Sequence, residues 1–186
     1  MMSKLDELMA RLCPDGVEYK ELKDVAKISR GVRVVKKELA GTGKYPVYQN
    51  SMTPLGYYDK YNCQGDTSFI ISAGAAGEIG YSRSEFWAAD DCLYFMCSEN
   101  LISKYLYHFL LTKQNFIYSN VRRASIPRLS RNVVEKIKIP VPPLEVQSEI
   151  VRILDNFTEL TAELTARKQQ YEYYRDRLMS FEGGTN

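Results

Sequence analysis

The stretch Ile139-Pro-Val-Pro-Pro-Leu-Glu-Val-Gln-Ser-Glu-Ile-Val-Arg-Ile-Leu-Asp-Asn-Phe157 divides the chain. Its prolines lock φ, remove backbone donors and push their neighbours towards extended geometry. Pro142 and Pro143 therefore stop whatever precedes them and open a helix. From Leu144 to Phe181 there is no further proline and no glycine. A fully helical run of that length would extend about 57 Å at ~1.5 Å per residue. Apolar side chains recur at steps of three and four: Ile150, Ile153, Phe157, Leu160, Leu164, Tyr171, Tyr174, Leu178 and Phe181. Arg167 is the one interruption. This is a coiled-coil seam. A helix this long outruns a small domain, so a helical partner covers the stripe better than the chain's own body does. Gly183-Gly184 ends the helix.

Upstream, Ser3-x-x-Asp6 opens a short amphipathic helix, LDELMARL, closed by Pro14-Asp15-Gly16. A second short helix is expected over Glu21 to Ile28. Short strands are expected at Tyr45–Tyr48, Thr67–Ser72, Ile79–Tyr81 and Cys92–Met96. Ser103 to Leu111 has helical spacing, and Ile117 to Val121 extends or follows it. Val133 to Ile139 alternates as a strand does and stops at Pro140. The expected fold is α+β: a mixed α/β domain over residues 1–143, then a long coiled-coil-forming helix over 144–186.

The chain has 186 residues, 45% apolar and 26% charged, which excludes wholesale disorder. No run is apolar enough for a membrane span, and the charged N-terminus is unlike a signal peptide, so a cytoplasmic location is expected. Cys13, Cys63, Cys92 and Cys97 form no CxxC pair, and His108 is the only histidine. The thiols are expected to pack as small hydrophobes, with no metal site.

The net charge of +2 hides a split. Residues 144–186 carry 5 Lys/Arg against 8 Asp/Glu, whereas residues 1–143 carry 20 against 15. Two stretches are strongly basic. One holds Lys27, Arg30, Arg33, Lys36, Lys37 and Lys44 against Glu38. The other holds Arg122, Arg123, Arg128, Arg131, Lys136 and Lys138 against Glu135. Clustered basic charge is the footprint of a polyanion binder. Solvated faces are the competing explanation.

Catalytic patterns fail on spacing. Pro14-Asp15 and Glu18-x-Lys20 are too close to form the two halves of a nuclease metal site. Val141-Pro142-Pro143-Leu144 lacks the amide or carboxylate of an amino-methyltransferase motif. Asp90 and Asp91 would point to opposite faces of a strand. Gly74, Gly77 and Gly80 in ISAGAAGEIGYS match neither a dinucleotide fingerprint nor a P-loop. They serve either a tight turn or close approach of backbone N–H groups to phosphate or base. Better candidates for DNA contact are the polar loop Tyr48, Gln49, Asn50, Ser51 and the basic loop Arg122, Arg123, Ser125, Arg128, Arg131. Amides can pair with adenine and arginines with guanine or phosphate. With Arg30, Arg33, Lys36, Lys37, Lys44, Gly74 and Gly77, these form the candidate double-stranded DNA surface.

The layout resembles the specificity subunit of type I restriction-modification systems, the HsdS family. That family's basic segment leading into I-x-I-P-x-P-P-L-x-x-Q is similar to Ser130-Arg-Asn-Val-Val-Glu-Lys-Ile-Lys-Ile-Pro-Val-Pro-Pro-Leu-Glu-Val-Gln147. FIISAGAAGEIGYS and the run Gly16-Val-Glu-Tyr-Lys20 to Ile28-Ser-Arg-Gly31 resemble family elements as well. The family often places a basic residue in the glycine turn, where this chain has Ala73, Ala75 and Ala76. The resemblance implies a non-catalytic target recognition domain with a spacer helix. Such a subunit directs methyltransferase subunits, and a translocating nuclease subunit where one is present, to a split DNA site. S-adenosylmethionine, ATP and Mg²⁺ would belong to those partners, with no cofactor in this chain. Members usually carry two recognition domains and two spacers, so one of each implies either a half-subunit or a piece of a longer one; a half-subunit restores the full arrangement by homodimerising through its helix. Two other classes stay open: a stand-alone small DNA methyltransferase or nuclease, and a coiled-coil adaptor that binds protein only.

Overall fold

The computed structural model describes residues 2–39 and 43–180, leaving aside the Lys36 side chain. Ser3 starts α1 (Lys4–Leu12) with a reciprocal capping box. Ser3 Oγ accepts the Asp6 N–H at 3.2 Å, and Asp6 Oδ2 accepts the Ser3 N–H at 3.0 Å. Strand β1 (Tyr19–Glu21) then runs into α2 (Leu22–Val25) and β2 (Ala26–Arg30). The helix expected over Glu21 to Ile28 is thus a single turn. Ala26–Arg30 pairs antiparallel with β8 (Cys92–Cys97), burying Ala26 and Ile28 on one face. Lys27-Ile28-Ser29 suits either period, and the β8 ladder selects the extended one.

After a 3-10 turn at Lys36–Glu38 come β3 (Tyr45–Tyr48), β4 (Gly56–Tyr58), β5 (Thr67–Ile71), β6 (Ile79–Ser82) and β7 (Trp87–Ala88), which leads to β8. The main sheet is antiparallel in the order β2-β8-β5-β6. A smaller sheet, β4-β3-β7, joins β3 and β7 in parallel. Strand β5 is covered on both sides, which accounts for its unbroken apolar run. Ile70 faces the larger core, while Phe69 and Ile71 face a second cluster with Phe86 and Cys92. Burying a side chain of this size contributes roughly 1.5–3 kcal/mol.

Helices α3 (Ser103–Thr112) and α4 (Gln114–Ser119) supply Leu106, Leu110 and Ile117 to the larger core. The strand expected from Val133 to Ile139 is divided. Arg131–Glu135 forms α5, and only Lys138–Pro140 is extended, as β9 paired with β1. Val134 and Ile139 are nevertheless both fully buried, because the chain turns between them.

The last element, α6, spans Leu144–Met179 in one 36-residue helix. Its first turns belong to the body. Val146 and Gln147 are fully buried, and Ile150 and Val151 pack on the core. Ion pairs also link it to α1 and α3, and one of them is reinforced from within the helix by Arg152. Arg11 meets Glu145 at 2.9 Å. Lys4 and Arg152 both grip Glu149, at 3.0 and 2.6 Å. Lys104 Nζ lies 2.7 Å and His108 Nε2 3.1 Å from the Asp155 carboxylate. Beyond Asp155 the apolar side chains stand in solvent.

Candidate nucleic-acid interface

Five chain segments are bonded together at one end of the main sheet. Ser72, just past β5, donates its N–H and its hydroxyl to the Asp91 carbonyl, at 2.7 and 2.9 Å. Its own carbonyl accepts the Leu129 N–H at 2.8 Å. Gly74 donates to Pro127 at 3.2 Å, and Ala75 to Asn50 at 2.9 Å. Arg122 and Arg128 exchange backbone bonds of 2.8 and 3.0 Å, closing the 122–128 loop at its root. Arg30, at the end of β2, donates to the Asp90 carbonyl, and its guanidinium lies 3.9 Å from the Asp91 carboxylate. Loops far apart in sequence thus form one continuous rim.

The two glycines are joints of that rim. Gly74 and Gly77 have φ of +81° and +94°, a region L side chains rarely enter. A Cβ on Gly74 would lie 2.8 Å from the Asn50 carbonyl oxygen, and one on Gly77 2.9 Å from the Tyr118 ring. The Gly77 N–H goes to the Ile71 carbonyl at 2.8 Å. Both glycine amides are therefore spent inside the protein. Of the two roles expected for this segment, the geometry supports the tight turn and leaves neither N–H free for phosphate or base.

The rim brings together Arg30, Gln49, Asn50, Ser51, Arg122, Arg123, Ser125 and Arg128. Asn50, Arg122, Arg123, Ser125 and Arg128 are exposed. Gln49 is half-buried, its amide nitrogen 3.5 Å from the Asp90 carboxylate. Ser51 donates its hydroxyl to the Thr53 carbonyl at 2.9 Å. Tyr48 does not project from the rim. Its ring packs on Phe69 and Phe86, with centroids 4.9 and 5.6 Å away, and burial raises its pKa. It is a core aromatic that supports the polar loop.

Other candidates lie elsewhere. Arg131 pairs with Glu135 at 2.7 Å. It lines a cleft with Ala26–Ile28 and Met96–Ser98, towards the end of β2 opposite Arg30. Lys44 sits at the other end of β3 from Gln49, its Nζ 5.1 Å from the Tyr45 ring centroid. Arg33 and Lys37 are exposed near the smaller sheet, and Lys36 belongs to the 3-10 turn.

The helix stripe also divides. Ile150 rests on the body and Ile153 is half-buried, whereas Phe157, Leu160, Leu164, Tyr171, Tyr174 and Leu178 are exposed, Leu164 to 68% and Leu178 to 70%. Phe181 lies outside the described residues.

Sequence reasoning missed the rivets. Gln147 Oε1 accepts the Ile102 N–H at 2.9 Å. The Gln147 amide nitrogen donates to Asn100 and Pro142, at 2.8 Å each. The Lys104–Asp155–His108 group joins residues too distant in sequence to be paired by pattern. Burial tends to raise the Asp155 carboxyl, but hydrogen bonds from Lys104 and His108 outweigh it and leave its pKa lowered. The thiols of Cys63, Cys92 and Cys97 are all raised by burial, that of Cys63 to about 12. Among the described residues, no group of three or more His, Cys, Asp or Glu is placed to hold a metal, and no helix is long and apolar enough to cross a membrane.

Residues 14–171 match the family model described as the type I restriction modification DNA specificity domain. The chain is 36% identical over 185 residues to a Haemophilus influenzae protein provisionally assigned as a type I restriction enzyme specificity subunit, covering 89% of this chain and 47% of that one. It is 48% identical over 99 residues to the EcoR124I/EcoR124II specificity subunit of Escherichia coli, covering 47% and 24%. The fold is similar to the S subunit of a type I restriction-modification system from M. genitalium, with TM-score 0.71, 19% identity, and coverage of 89% and 47%. The chain spans about half the length, 47% and 46%, of the first curated relatives it matches.

Proposed function

Because the chain belongs to the type I restriction-modification DNA specificity family, we propose that it recognises one half of a split double-stranded DNA target and directs methyltransferase subunits to it. A restriction subunit would join where the system has one. Residues 1–143 form the recognition unit and 144–186 the spacer. The observation that carries this reading is the rigid union of two surfaces. A rim bearing exposed arginines and amides is riveted to a helix whose outer half presents an unpartnered apolar stripe. Arginines without acidic partners suit phosphate and base edges, and the exposed Asn50 amide suits adenine. A stripe on a helix leaving the body suits a second helix. Two copies joined through it would hold two rims at a fixed separation, and their two-fold symmetry would be mirrored in the DNA.

The chain is a non-catalytic subunit in this reading. S-adenosylmethionine and, for cleavage, ATP and Mg²⁺ act on the partner subunits. The test is DNA binding by the chain reconstituted with its methyltransferase subunits, set against calorimetry of the chain alone with S-adenosylmethionine. Sequence-selective binding by the complex and no heat with the chain alone are expected. Heat of binding with the isolated chain would favour a stand-alone methyltransferase. Failure of the complex to bind DNA would favour a protein-only adaptor.

A further inference from the structure

We infer that Ile126 is a specificity-determining residue that reads the methyl group of a thymine in the major groove. The inference rests on the DNA-recognition reading above. Ile126 is 52% exposed, in a loop whose root is held by backbone hydrogen bonds. The Arg122–Arg128 backbone pair closes the loop, Pro127 accepts the Gly74 N–H, and the buried Leu129 anchors the chain just beyond. The apolar side chain is thus held out in water by a fixed backbone.

Its surroundings identify what would cover it. Arg122, Arg123 and Arg128, in the same loop, are all exposed. Among the described residues none of the three has a carboxylate within salt-bridge distance, whereas Arg30 and Arg131 have Asp91 and Glu135. An exposed apolar side chain in a loop that also carries three exposed arginines is complementary to a polyanion with an apolar group among its polar edges. The thymine C5-methyl is that group in duplex DNA, and it is displayed in the major groove. The loop root is three segments wide, since the 127–129 stretch is bonded to Arg122 on one side and to Ser72 and Gly74 on the other. Only the 123–126 tip stands clear of that root, and the major groove, roughly 12 Å wide, leaves more room for such a projection than the minor groove, roughly 6 Å wide.

The test uses the chain reconstituted with its methyltransferase subunits, after the motif it modifies has been mapped. Duplexes are prepared in which each thymine of the motif is replaced in turn by deoxyuridine, which lacks only the methyl. With the native chain, one position in each half-site should weaken binding about fourfold, the value of withdrawing one methyl-sized group from water. With Ile126→Ala that penalty should vanish, and Ile126→Val should keep part of it. Ile126 is exposed, so neither variant should disturb folding, which circular dichroism checks. An Ile126→Ala complex with the same penalty at every thymine, or a mapped half-site without a T·A pair, would overturn the inference while leaving DNA recognition intact. A native complex that binds no DNA would overturn both.

Discussion

Gln147, fully buried on the long helix, accepts the Ile102 N–H at 2.9 Å just before α3 begins. It thereby caps one helix from the first turns of another. With its donations to Asn100 and Pro142 it joins the proline linker, the end of the β8 segment and α6 in one polar lock. A buried amide in this position is stabilising only while all its partners are met.

Replacing Gln147 by Leu keeps the volume and strands one N–H and two carbonyls. Asn100 is exposed, so water can reach its carbonyl, and the Ile102 N–H and the Pro142 carbonyl carry the penalty; at about 1–3 kcal/mol for each unsatisfied buried group, the variant should lose at least about 2 kcal/mol in urea denaturation. A loss below 1 kcal/mol would mean that the lock is dispensable.

Acid should loosen the rivets of α6. Hydrogen bonds from Arg152 and then Lys4 bring the Glu149 carboxyl down from 4.5 to about 2. A carboxyl depressed in the folded state contributes stability that is present above pH 4.5 and lost as pH falls through about 2. Asp155, also lowered, adds in the same direction. Denaturation followed between pH 6 and pH 2 should show stability declining below pH 4.5, and Glu149→Gln should flatten that decline. Equal slopes for the two proteins would remove Glu149 from the account.

The apolar stripe predicts an assembly. Leu160→Glu with Leu164→Glu should give a monomer by light scattering, with the helical signal reduced over the outer half of α6. A dimer that survives both substitutions uses another surface.

Reversing Arg122 and Arg123 to Glu should weaken DNA binding by the reconstituted complex. Each lost phosphate contact lowers the slope of log K against log salt by about 0.9, so with two arginines in each of two copies a change of roughly 3 to 4 is expected. An unchanged slope would place these two side chains away from phosphate.

Much of this was legible before any coordinates. The capping pair Ser3 and Asp6, the doubly covered Thr67–Ile71 strand and the start of α6 at Leu144 follow from local patterns. Ala26–Arg30 and Arg131–Glu135 did not. Both are five residues long, and pairing with β8 in one case and a turn after Val134 in the other decide their state. The rim was only partly visible. Arginines and amides announce their chemistry, but the bonds joining Ser72 to Asp91 and Gly74 to Pro127 are long-range backbone contacts that leave no local sequence signal. For the same reason Gly74 and Gly77 looked as suited to phosphate as to a turn, and Tyr48 looked like a loop residue until its packing on Phe69 placed it in the core.

The proposed supply of DNA specificity by two symmetrically joined copies is open to direct test by mapping the bases methylated when the chain is reconstituted with its methyltransferase subunits. A split motif of two identical, inverted half-sites at one fixed spacing is expected, lost with the Leu160→Glu and Leu164→Glu variant. Methylation of an asymmetric motif, or at scattered sites without a common sequence, would contradict it.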